Sequence, residues 1–173
     1  MASRQLRHAT DEISSPLSKN AAHGAAHAQA VMVFGSDTIY SMIPKNACST
    51  LRLSIALANG AIGHPKDWRW IHKNNETFKP SLRELANASY TFAVLRCPYA
   101  RLVSCFADKI VSRTREAWNF SDVSGLDVPL ARITFRKFCQ AMADASVRQA
   151  NVHWRPQTDL LVYRDYDDLF CVE

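Results

Sequence analysis

The sequence is poor in the residues that mark several common kinds of site. Only 5 of its 173 residues are glycine, and the pattern G-x-x-x-x-G-K-[ST] of the P-loop NTPases is absent. Its 5 cysteines are an odd number without a C-x-x-C pair, so neither a zinc site nor a disulfide framework is indicated. No apolar stretch approaches the ~20 residues of a membrane span, and the N-terminus lacks the apolar centre of a secretory signal. We therefore expect a soluble chain without a metal centre and without stable membrane insertion.

Charge and composition narrow the class of ligand. Lys and Arg number 21 against 16 Asp and Glu, and this net charge of +5 suits an anionic ligand or substrate. Nucleic acid is disfavoured as a partner, because no basic run carries interleaved aromatic residues. A hydrophobic content of 47% and this length are typical of one globular domain with a real core. These properties favour one domain that binds a small anion.

The beginning of the chain differs in composition from the rest. Residues 1–30 are rich in Ala, Ser and His and have few large apolar side chains. Such a segment cannot bury enough surface to offset the entropy lost when it becomes ordered. The composition predicts a disordered leader over residues 1–30 and an ordered domain over residues 31–173.

Strand-like and helix-like segments alternate along the ordered part. Runs of β-branched and apolar residues predict strands at 31–34, 38–43, 90–95 and 160–163. Helical patterns predict helices from Ser49 or Thr50, as the cap, to Ala58, and at 81–85, 98–112 and 134–145, with a loop at 114–129. The apolar stripe of the third helix is expected at Tyr99, Val103, Phe106 and Ile110. This alternation predicts an α/β fold with a parallel sheet flanked by helices.

Two segments about fifty residues apart carry signatures of anion binding. The first reads Ile43-Pro44-Lys45-Asn46-Ala47-Cys48-Ser49-Thr50-Leu51-Arg52, and the second reads Arg96-Cys97-Pro98-Tyr99-Ala100-Arg101-Leu102-Val103-Ser104. Each follows a predicted strand and opens a predicted helix, so each places a cation and backbone N–H groups at a helix N-terminus. Two such sites indicate a ligand with two separated anionic groups.

Three segments together resemble the sulfotransferases. Pro44-Lys45, followed by Ser49-Thr50 and a helix, is similar to their 5′-phosphosulfate loop, and Arg96 with Ser104 resembles their 3′-phosphate site. The segment His153-Trp154-Arg155-Pro156-Gln157 is similar to the His-Trp-x-Pro-Gln element of the carbohydrate sulfotransferases that act on chondroitin, dermatan and related glycans, and of their bacterial relatives. The resemblance runs from about residue 39 to the end of the chain. It implies a P-loop-like α/β fold of the sulfotransferase type.

The resemblance also implies a donor, an acceptor and a set of binding residues. The donor is 3′-phosphoadenosine 5′-phosphosulfate (PAPS), used without a metal, and the acceptor is a hydroxyl of a glycan, oligosaccharide or glycolipid. The implied donor-binding residues are Lys45, Asn46, Ala47, Cys48, Ser49, Thr50, Arg52, Arg96 and Ser104. Lys45 has a catalytic role as well, because its ammonium can stabilise charge on the leaving phosphate. For Arg52 a phosphate contact and a surface ion pair stay open.

Two histidines compete for the role of general base. His72 lies in an aromatic loop, where related carbohydrate enzymes carry a histidine between the two phosphate sites. His153 belongs to the His-Trp segment, which is expected to line the acceptor cleft. We favour His72 as the base and His153 as an orienting or alternate group. Trp154 is expected in the core, and Arg101 is expected either to pair with Asp108 or to brace its loop.

Two other functions stay open. A nucleotide kinase or other P-loop NTPase would need the missing glycine motif and a carboxylate for Mg²⁺ after a strand. A non-catalytic relative that binds anions or glycans is the second alternative, and Lys45, Arg96 and Ser104 argue against it. Many relatives carry paired cysteines after the His-Trp segment and continue further, so we expect a minimal or C-terminally truncated domain. The expected location is cytoplasmic if the chain is bacterial, and a Golgi membrane only if an anchor is missing from this chain.

Overall fold

The computed structural model describes residues 3–9, 16–74 and 76–172. These residues form two compact units. The first unit consists of the described residues up to Leu95 together with Thr158–Val172, and the second consists of Arg96–Gln157. Among the described residues, none of the helices is both long enough and apolar enough to cross a membrane.

The first unit contains a four-stranded sheet. Its strands are β1 (Ala30–Val33), β2 (Thr38–Ser41), β3 (Tyr90–Leu95) and β4 (Asp168–Cys171), in the spatial order β1-β2-β3-β4. β2 pairs in parallel with β3, and β3 pairs in parallel with β4. β1 is antiparallel to β2 and forms one edge of the sheet. The predicted α/β class is confirmed, with one antiparallel strand added to the parallel sheet.

Helices cover both faces of this sheet. They are α1 (Ala21–His27), α2 (Cys48–Ala58), α3 (Trp70–Lys73) and α4 (Leu82–Ala86). Consecutive strand residues point to opposite faces, so neighbours in β2 enter different core clusters. Tyr40 clusters with Ile55 of α2 and Ile71 of α3. Ile39 clusters instead with Leu85 of α4, so that α2 and α3 lie on one face and α4 lies on the other.

The disordered leader expected over residues 1–30 is wrong for the described residues of that segment. Asn20 caps α1 through its side chain, and Ala26 of α1 is completely buried. Leu6 enters the same core cluster as Ala26. Composition misleads here because alanines allow a helix to approach the sheet closely, and one leucine then suffices to extend the cluster. The remainder of the leader lies outside the described residues.

The second unit is helical. It contains α5 (Pro98–Cys105), α6 (Arg115–Ser124), α7 (Phe135–Ala141) and α8 (Ala145–Gln149), and Phe106–Val111 continues α5 as a π-helix. The centre of its core is a set of three rings. The centroids of Phe120 and Phe138 are 4.9 Å apart, and Trp154 meets both rings edge-on at 5.8 Å and 6.1 Å. The expectation that Trp154 belongs to the core is confirmed.

The apolar stripe predicted for α5 is wrong in its first turns. Tyr99 is 81% exposed and Val103 is 52% exposed, whereas Arg101 and Cys105 are buried. The helix turns this side inwards because the Arg101 guanidinium has backbone carbonyls as partners. An arginine can be buried when its donors are satisfied in this way.

Three further segments differ from their predicted structure. Residues 114–129 are not a loop, because Ala117 and Phe120 supply a buried side for α6 and Gly125 ends that helix with a φ of 62°. The helix predicted for 134–145 is broken into α7 and α8. Residues 160–163 form no ladder strand, and the last strand is β4.

Candidate functional site

The loop between β2 and α2 carries Lys45 on a constrained backbone. Lys45 and Ala47 both adopt left-handed conformations, with φ of 74° and 56°. For residues other than glycine this conformation costs roughly 1–2 kcal/mol, and it persists only where the surroundings hold it. The loop therefore has a defined shape that sets Lys45 three residues before the start of α2.

Asn46, which lies between these two strained residues, holds the loop in place. It is completely buried, and its side-chain Nδ2 donates a hydrogen bond of 2.8 Å to the carbonyl of Val94 in β3. Its backbone N–H donates to the carbonyl of Ile43 at 3.3 Å. Asn46 thus joins the loop to the neighbouring parallel strand, which is a structural role for a residue predicted only as donor-binding.

The N-terminus of α2 has no side-chain cap. Ala47 occupies the cap position, and the first intrahelical backbone bond runs from the N–H of Leu51 to the carbonyl of Ala47. The expected cap by Ser49 or Thr50 is wrong, because both residues lie inside the first turn and are exposed. The N–H groups of a first helical turn have no intrahelical acceptors and carry partial positive charge. This end of α2, with Cys48 half-buried at its first position, has the chemistry of an anion-binding site.

Arg52 connects α2 to the segment that carries His72. Its Nη2 donates a hydrogen bond to the carbonyl of Ile71 in α3. Burial lowers the pKa of Arg52, while Cys48 and Tyr40 act in the opposite direction. Arg52 therefore has a backbone partner in α3.

His72 lies on an exposed aromatic segment. Its ring meets the ring of Trp68 edge-on, with 5.8 Å between centroids. Trp68 is 48% exposed, and the guanidinium carbon of Arg69 lies 5.5 Å from its ring centroid. Trp70 instead contacts Phe78, at 5.8 Å, beside the core. Trp68, Arg69 and His72 thus form a surface that combines an aromatic ring with cationic and titratable groups.

Arg96 is held through its backbone in the second unit. The side-chain Oε1 of Gln157 accepts from the N–H of Arg96 at 3.1 Å, and Nε2 of Gln157 donates to the carbonyl of Arg96 at 2.8 Å. This pairing imitates one rung of a β-ladder and fixes the main chain from which the guanidinium extends. Ser104 is half-buried in α5, eight positions after Arg96.

Arg101 braces the segment that contains His153. Its Nη1 donates to the carbonyl of Arg155 at 2.8 Å, and its Nη2 donates to the carbonyl of Val152 at 3.2 Å. These two carbonyls lie on either side of His153 and Trp154 in the chain. Arg101 therefore braces the His153 segment, whereas the sequence predicts either an ion pair with Asp108 or a brace for its own loop.

The His153 ring is bound to Asn151. Its Nδ1 lies 2.8 Å from Oδ1 of Asn151, and the His153 backbone N–H donates to the same oxygen at 3.0 Å. Glu116 of α6 interacts electrostatically with this histidine. Partial burial would raise the pKa of Glu116, but a hydrogen bond from Thr114 and the charges of Lys109 and His153 outweigh burial and lower it. Glu116 is consequently a carboxylate near neutral pH.

The chain was compared with protein families, curated proteins and solved structures. The sequence model of the sulfotransferase family matches residues 31–169. The chain belongs to the sulfotransferase family. No curated protein and no solved structure matches it significantly. The sulfotransferase match spans the Lys45 loop, Arg96 and the His153 segment, and it supports transferase activity on sulfuryl groups.

No metal centre is found in the part of this sulfotransferase that the structure describes. Groups of three or more His, Cys, Asp or Glu side chains that could hold an ion do not occur there. The residues at the Lys45 loop and at Arg96 instead offer cations and N–H donors, which bind anionic oxygens directly.

Three supporting residues lay beyond the sequence-level prediction of the site. The sequence predicts Asn46 as a donor contact and Gln157 as part of a motif, and it gives no role to Asn151. Gln157 and Arg96 are 61 positions apart, and Asn46 and Val94 are 48 positions apart. Of the three, Asn151 is the residue for which the sequence carries a signal, because an Asn side chain commonly hydrogen-bonds to the backbone two residues further on.

Proposed function

We propose that this chain is a sulfotransferase that uses PAPS and transfers its sulfuryl group to a hydroxyl of a carbohydrate. The observation that carries this proposal is the Lys45 loop, a constrained turn that sets a lysine three residues before the start of α2, whose N-terminus has no side-chain cap, in a chain of the sulfotransferase family. Such an arrangement suits the 5′-phosphosulfate end of the donor, which offers anionic oxygens to N–H groups.

We assign the 5′-phosphosulfate to the Lys45 loop. The N–H groups of Cys48, Ser49 and Thr50 belong to the first turn of α2, and the exposed hydroxyls of Ser49 and Thr50 can donate further bonds. The Lys45 ammonium is a compact charge suited to the bridging oxygen, on which negative charge grows as the S–O bond breaks. In this assignment Asn46 maintains the loop and Arg52 maintains the contact between α2 and α3.

We assign the 3′-phosphate of the donor to Arg96 and Ser104. A guanidinium binds phosphate through two parallel N–H bonds, and this geometry depends on where its main chain is held. The two hydrogen bonds between the Gln157 amide and the Arg96 backbone supply that constraint. Ser104 contributes a hydroxyl from the second turn of α5.

The proposed reaction is a direct transfer. The acceptor oxygen attacks sulfur while the bond from sulfur to the bridging oxygen of the 5′-phosphate breaks, and the hydroxyl proton passes to a base. The products are a sulfate ester and adenosine 3′,5′-bisphosphate. The sequence alone favours His72 as the base. The hydrogen bond that the amide oxygen of Asn151 accepts from the ring of His153 supports His153 instead. We therefore propose His153 as the base and His72 as part of the acceptor surface with Trp68.

A carbohydrate acceptor is proposed on two grounds. The His-Trp-x-Pro-Gln segment resembles that of carbohydrate sulfotransferases, and Trp68 offers a half-exposed ring on which a sugar face can stack. The two alternatives make different predictions for nucleotides. A kinase would use ATP with Mg²⁺, and a non-catalytic relative would bind PAPS without turnover.

The decisive experiment incubates the purified chain with [³⁵S]PAPS and a panel of acceptors. The panel contains chondroitin, dermatan, heparosan, simple oligosaccharides, glycolipids and non-carbohydrate alcohols. Label in a carbohydrate product, formed without added metal, is the expected result. Label only in a non-carbohydrate ester would overturn the acceptor class. Phosphate transfer from ATP without sulfate transfer would overturn the reaction itself.

A further inference from the structure

The orientation of the Asn151 side chain is determined by its hydrogen bonds. The backbone N–H of His153 lies 3.0 Å from Oδ1 of Asn151, and a backbone N–H can only donate. The other end of the amide, Nδ2 of Asn151, donates to Oδ1 of Asn119 at 3.3 Å. A flipped amide would place two donors against each other at the His153 main chain. The oxygen of Asn151 therefore faces His153.

This orientation determines where the proton of the His153 ring lies. Oδ1 of Asn151 is 2.8 Å from Nδ1 of the ring, and an amide oxygen can only accept. Nδ1 must therefore carry the hydrogen. In a neutral imidazole with hydrogen on Nδ1 the lone pair is on Nε2, which is the form in which Nε2 can receive a proton.

The main chain around this pair is held as firmly as the side chains. The carbonyl of Asn151 accepts from the N–H groups of Trp154, at 3.3 Å, and Arg155, at 3.0 Å. Arg101 binds the flanking carbonyls of Val152 and Arg155. The buried indole of Trp154 donates to the carbonyl of Val147 at 2.8 Å. All these partners belong to the second unit, so the ring of His153 extends from a braced turn.

The charged groups around His153 come from three directions. Glu116 of α6 interacts with it, and Lys109 of the π-helix lies 3.9 Å from the Glu116 carboxylate. Arg101 of α5 and Arg155 of the same turn donate to carbonyls, Arg155 to that of Gln149. The amide of Asn151 adds a hydrogen-bond acceptor to this set without adding charge, and it thereby selects a tautomer of the ring.

We propose that Asn151 is a positioning residue that holds His153 in the Nδ1–H tautomer, so that Nε2 takes the proton of the acceptor hydroxyl. This inference rests on the proposed function. During transfer the O–H bond of the acceptor breaks, its proton joins Nε2, and the oxygen forms its bond to sulfur. The resulting imidazolium is stabilised by the hydrogen bond from Nδ1–H to Asn151, and it later releases the proton to water.

The first test is independent of activity. Long-range ¹H–¹⁵N NMR of the histidine rings, with His153 assigned by comparison with His153→Gln, reports the tautomer directly at pH 8. We expect Nδ1 of His153 to be the protonated nitrogen in the wild type and in Asn151→Asp. In Asn151→Ala the preference should be lost, and a mixture of tautomers should appear. A wild-type ring protonated mainly at Nε2 would overturn the proposal.

The second test uses turnover. Asn151→Ala should lower kcat by about 10-fold or more, because a general base accelerates the reaction by about 10²-fold or more. The KM for PAPS should change less than about twofold. Asn151→Asp keeps the acceptor and adds a charge, so it should retain activity and move the low-pH limb of kcat about one unit upward or more. Asn87→Ala is the matched control at the end of α4, where the Asn87 amide donates to the carbonyl of Arg83, and it should behave like the wild type.

The outcomes separate this inference from the proposed function. An Asn151→Ala variant that folds and keeps the wild-type kcat and pH profile would overturn the positioning role while sulfate transfer stands. An Asn151→Ala variant that fails to fold leaves the pH profile of Asn151→Asp and the wild-type tautomer as deciding measurements. A wild-type chain that transfers no sulfate would overturn the proposed function and the catalytic part of this inference together. The tautomer would then remain as a structural result.

Discussion

Gln157 hydrogen-bonds to both polar groups of the Arg96 backbone, accepting from its N–H at 3.1 Å and donating to its carbonyl at 2.8 Å. The two residues are 61 positions apart. One amide thereby couples the His153-containing segment to the main chain of the arginine that we assign to the 3′-phosphate. Under the proposed function, the glutamine of the His-Trp-x-Pro-Gln element thereby supports the arginine assigned to the donor, although it belongs to a motif expected on the acceptor side.

Removal of the Arg96 side chain is expected to weaken binding of the donor at its 3′-phosphate end. Arg96→Ala should weaken binding of adenosine 3′,5′-bisphosphate by roughly 1.5–3 kcal/mol, the range of a hydrogen bond to a charged group. Binding of adenosine 5′-monophosphate should hardly change. Gln157→Ala should show the same selectivity with a smaller loss, and the exposed Arg132→Ala is the control. Isothermal titration calorimetry with both nucleotides measures these affinities. Equal losses of affinity for both would show that Arg96 supports the fold and does not bind the 3′-phosphate.

Lys45 is expected to contribute more to the transition state than to the bound donor. Lys45→Met should lower kcat by about 10²-fold or more and change donor affinity less, because charge on the leaving oxygen grows during transfer. Lys79→Met, at an exposed site that pairs with Glu76, is the charge-matched control. Steady-state kinetics and nucleotide binding on the same preparations provide the comparison. A loss confined to donor KM would make Lys45 an ordinary binding residue.

Alanine substitutions distinguish which of the two histidines, His72 or His153, acts as the base. If His153 is the base, His153→Ala should abolish turnover with donor affinity intact, and His72→Ala should mainly raise the acceptor KM. The wild-type kcat should fall as the pH drops through the histidine range near ~6.5, since a protonated ring cannot accept the proton. Near-normal turnover in His153→Ala and none in His72→Ala would return the role of base to His72.

The left-handed conformation of Ala47 predicts an unusual effect of glycine. Ala47→Gly should stabilise the protein by about 0.5–1 kcal/mol, because glycine adopts a φ of 56° without the steric cost paid by alanine. Ala58→Gly, at an exposed helical position of α2, should destabilise it by about the same amount. Urea unfolding curves of both variants give the sign. Destabilisation by both would mean that the loop does not hold this conformation in solution.

The histidines of the first unit predict a loss of stability in acid. His23 is 98% buried, and neither ring nitrogen has a hydrogen-bond partner among the described residues. Burial lowers its pKa, and the charges of His27 and His8 lower it further. Burial and Arg7 lower the pKa of His8, with Asp159 opposing them.

Folding therefore favours the neutral rings of His23 and His8. The free energy of unfolding should be highest above the unfolded-state pKa of about 6.5 and should fall as the pH drops below it, because the unfolded chain binds the protons first. Urea unfolding between pH 5 and 8 measures this slope, which His23→Leu should reduce and the exposed His64→Gln should leave unchanged. The same slope in His23→Leu as in the wild type would contradict the assignment.

Local sequence patterns predict those helices and strands whose buried residues form a clear run or stripe in the sequence. The apolar run of β3 was predicted with the bounds Tyr90–Leu95 that the structure has, since a strand buried on both faces needs no partner to be noticed. α2 ends at Ala58, and its C-cap Asn59 is followed by Gly60, which takes a left-handed φ of 70°. α6 was missed because its mean composition is polar and only Ala117 and Phe120 bury a side. Whether such a segment becomes a helix depends on the surface against which it packs.

The amino-acid sequence by itself determined the chemistry available to this protein: a lysine before a helix, an arginine after a strand and a His-Trp-x-Pro-Gln segment in the order of the sulfotransferase family. The tertiary structure decided what holds these groups. Asn46 reaches β3, Gln157 reaches Arg96, and the early residue Leu6 joins the core. These contacts join positions far apart in the chain, and their bonds become favourable only after the fold has brought donor and acceptor together and excluded water from them.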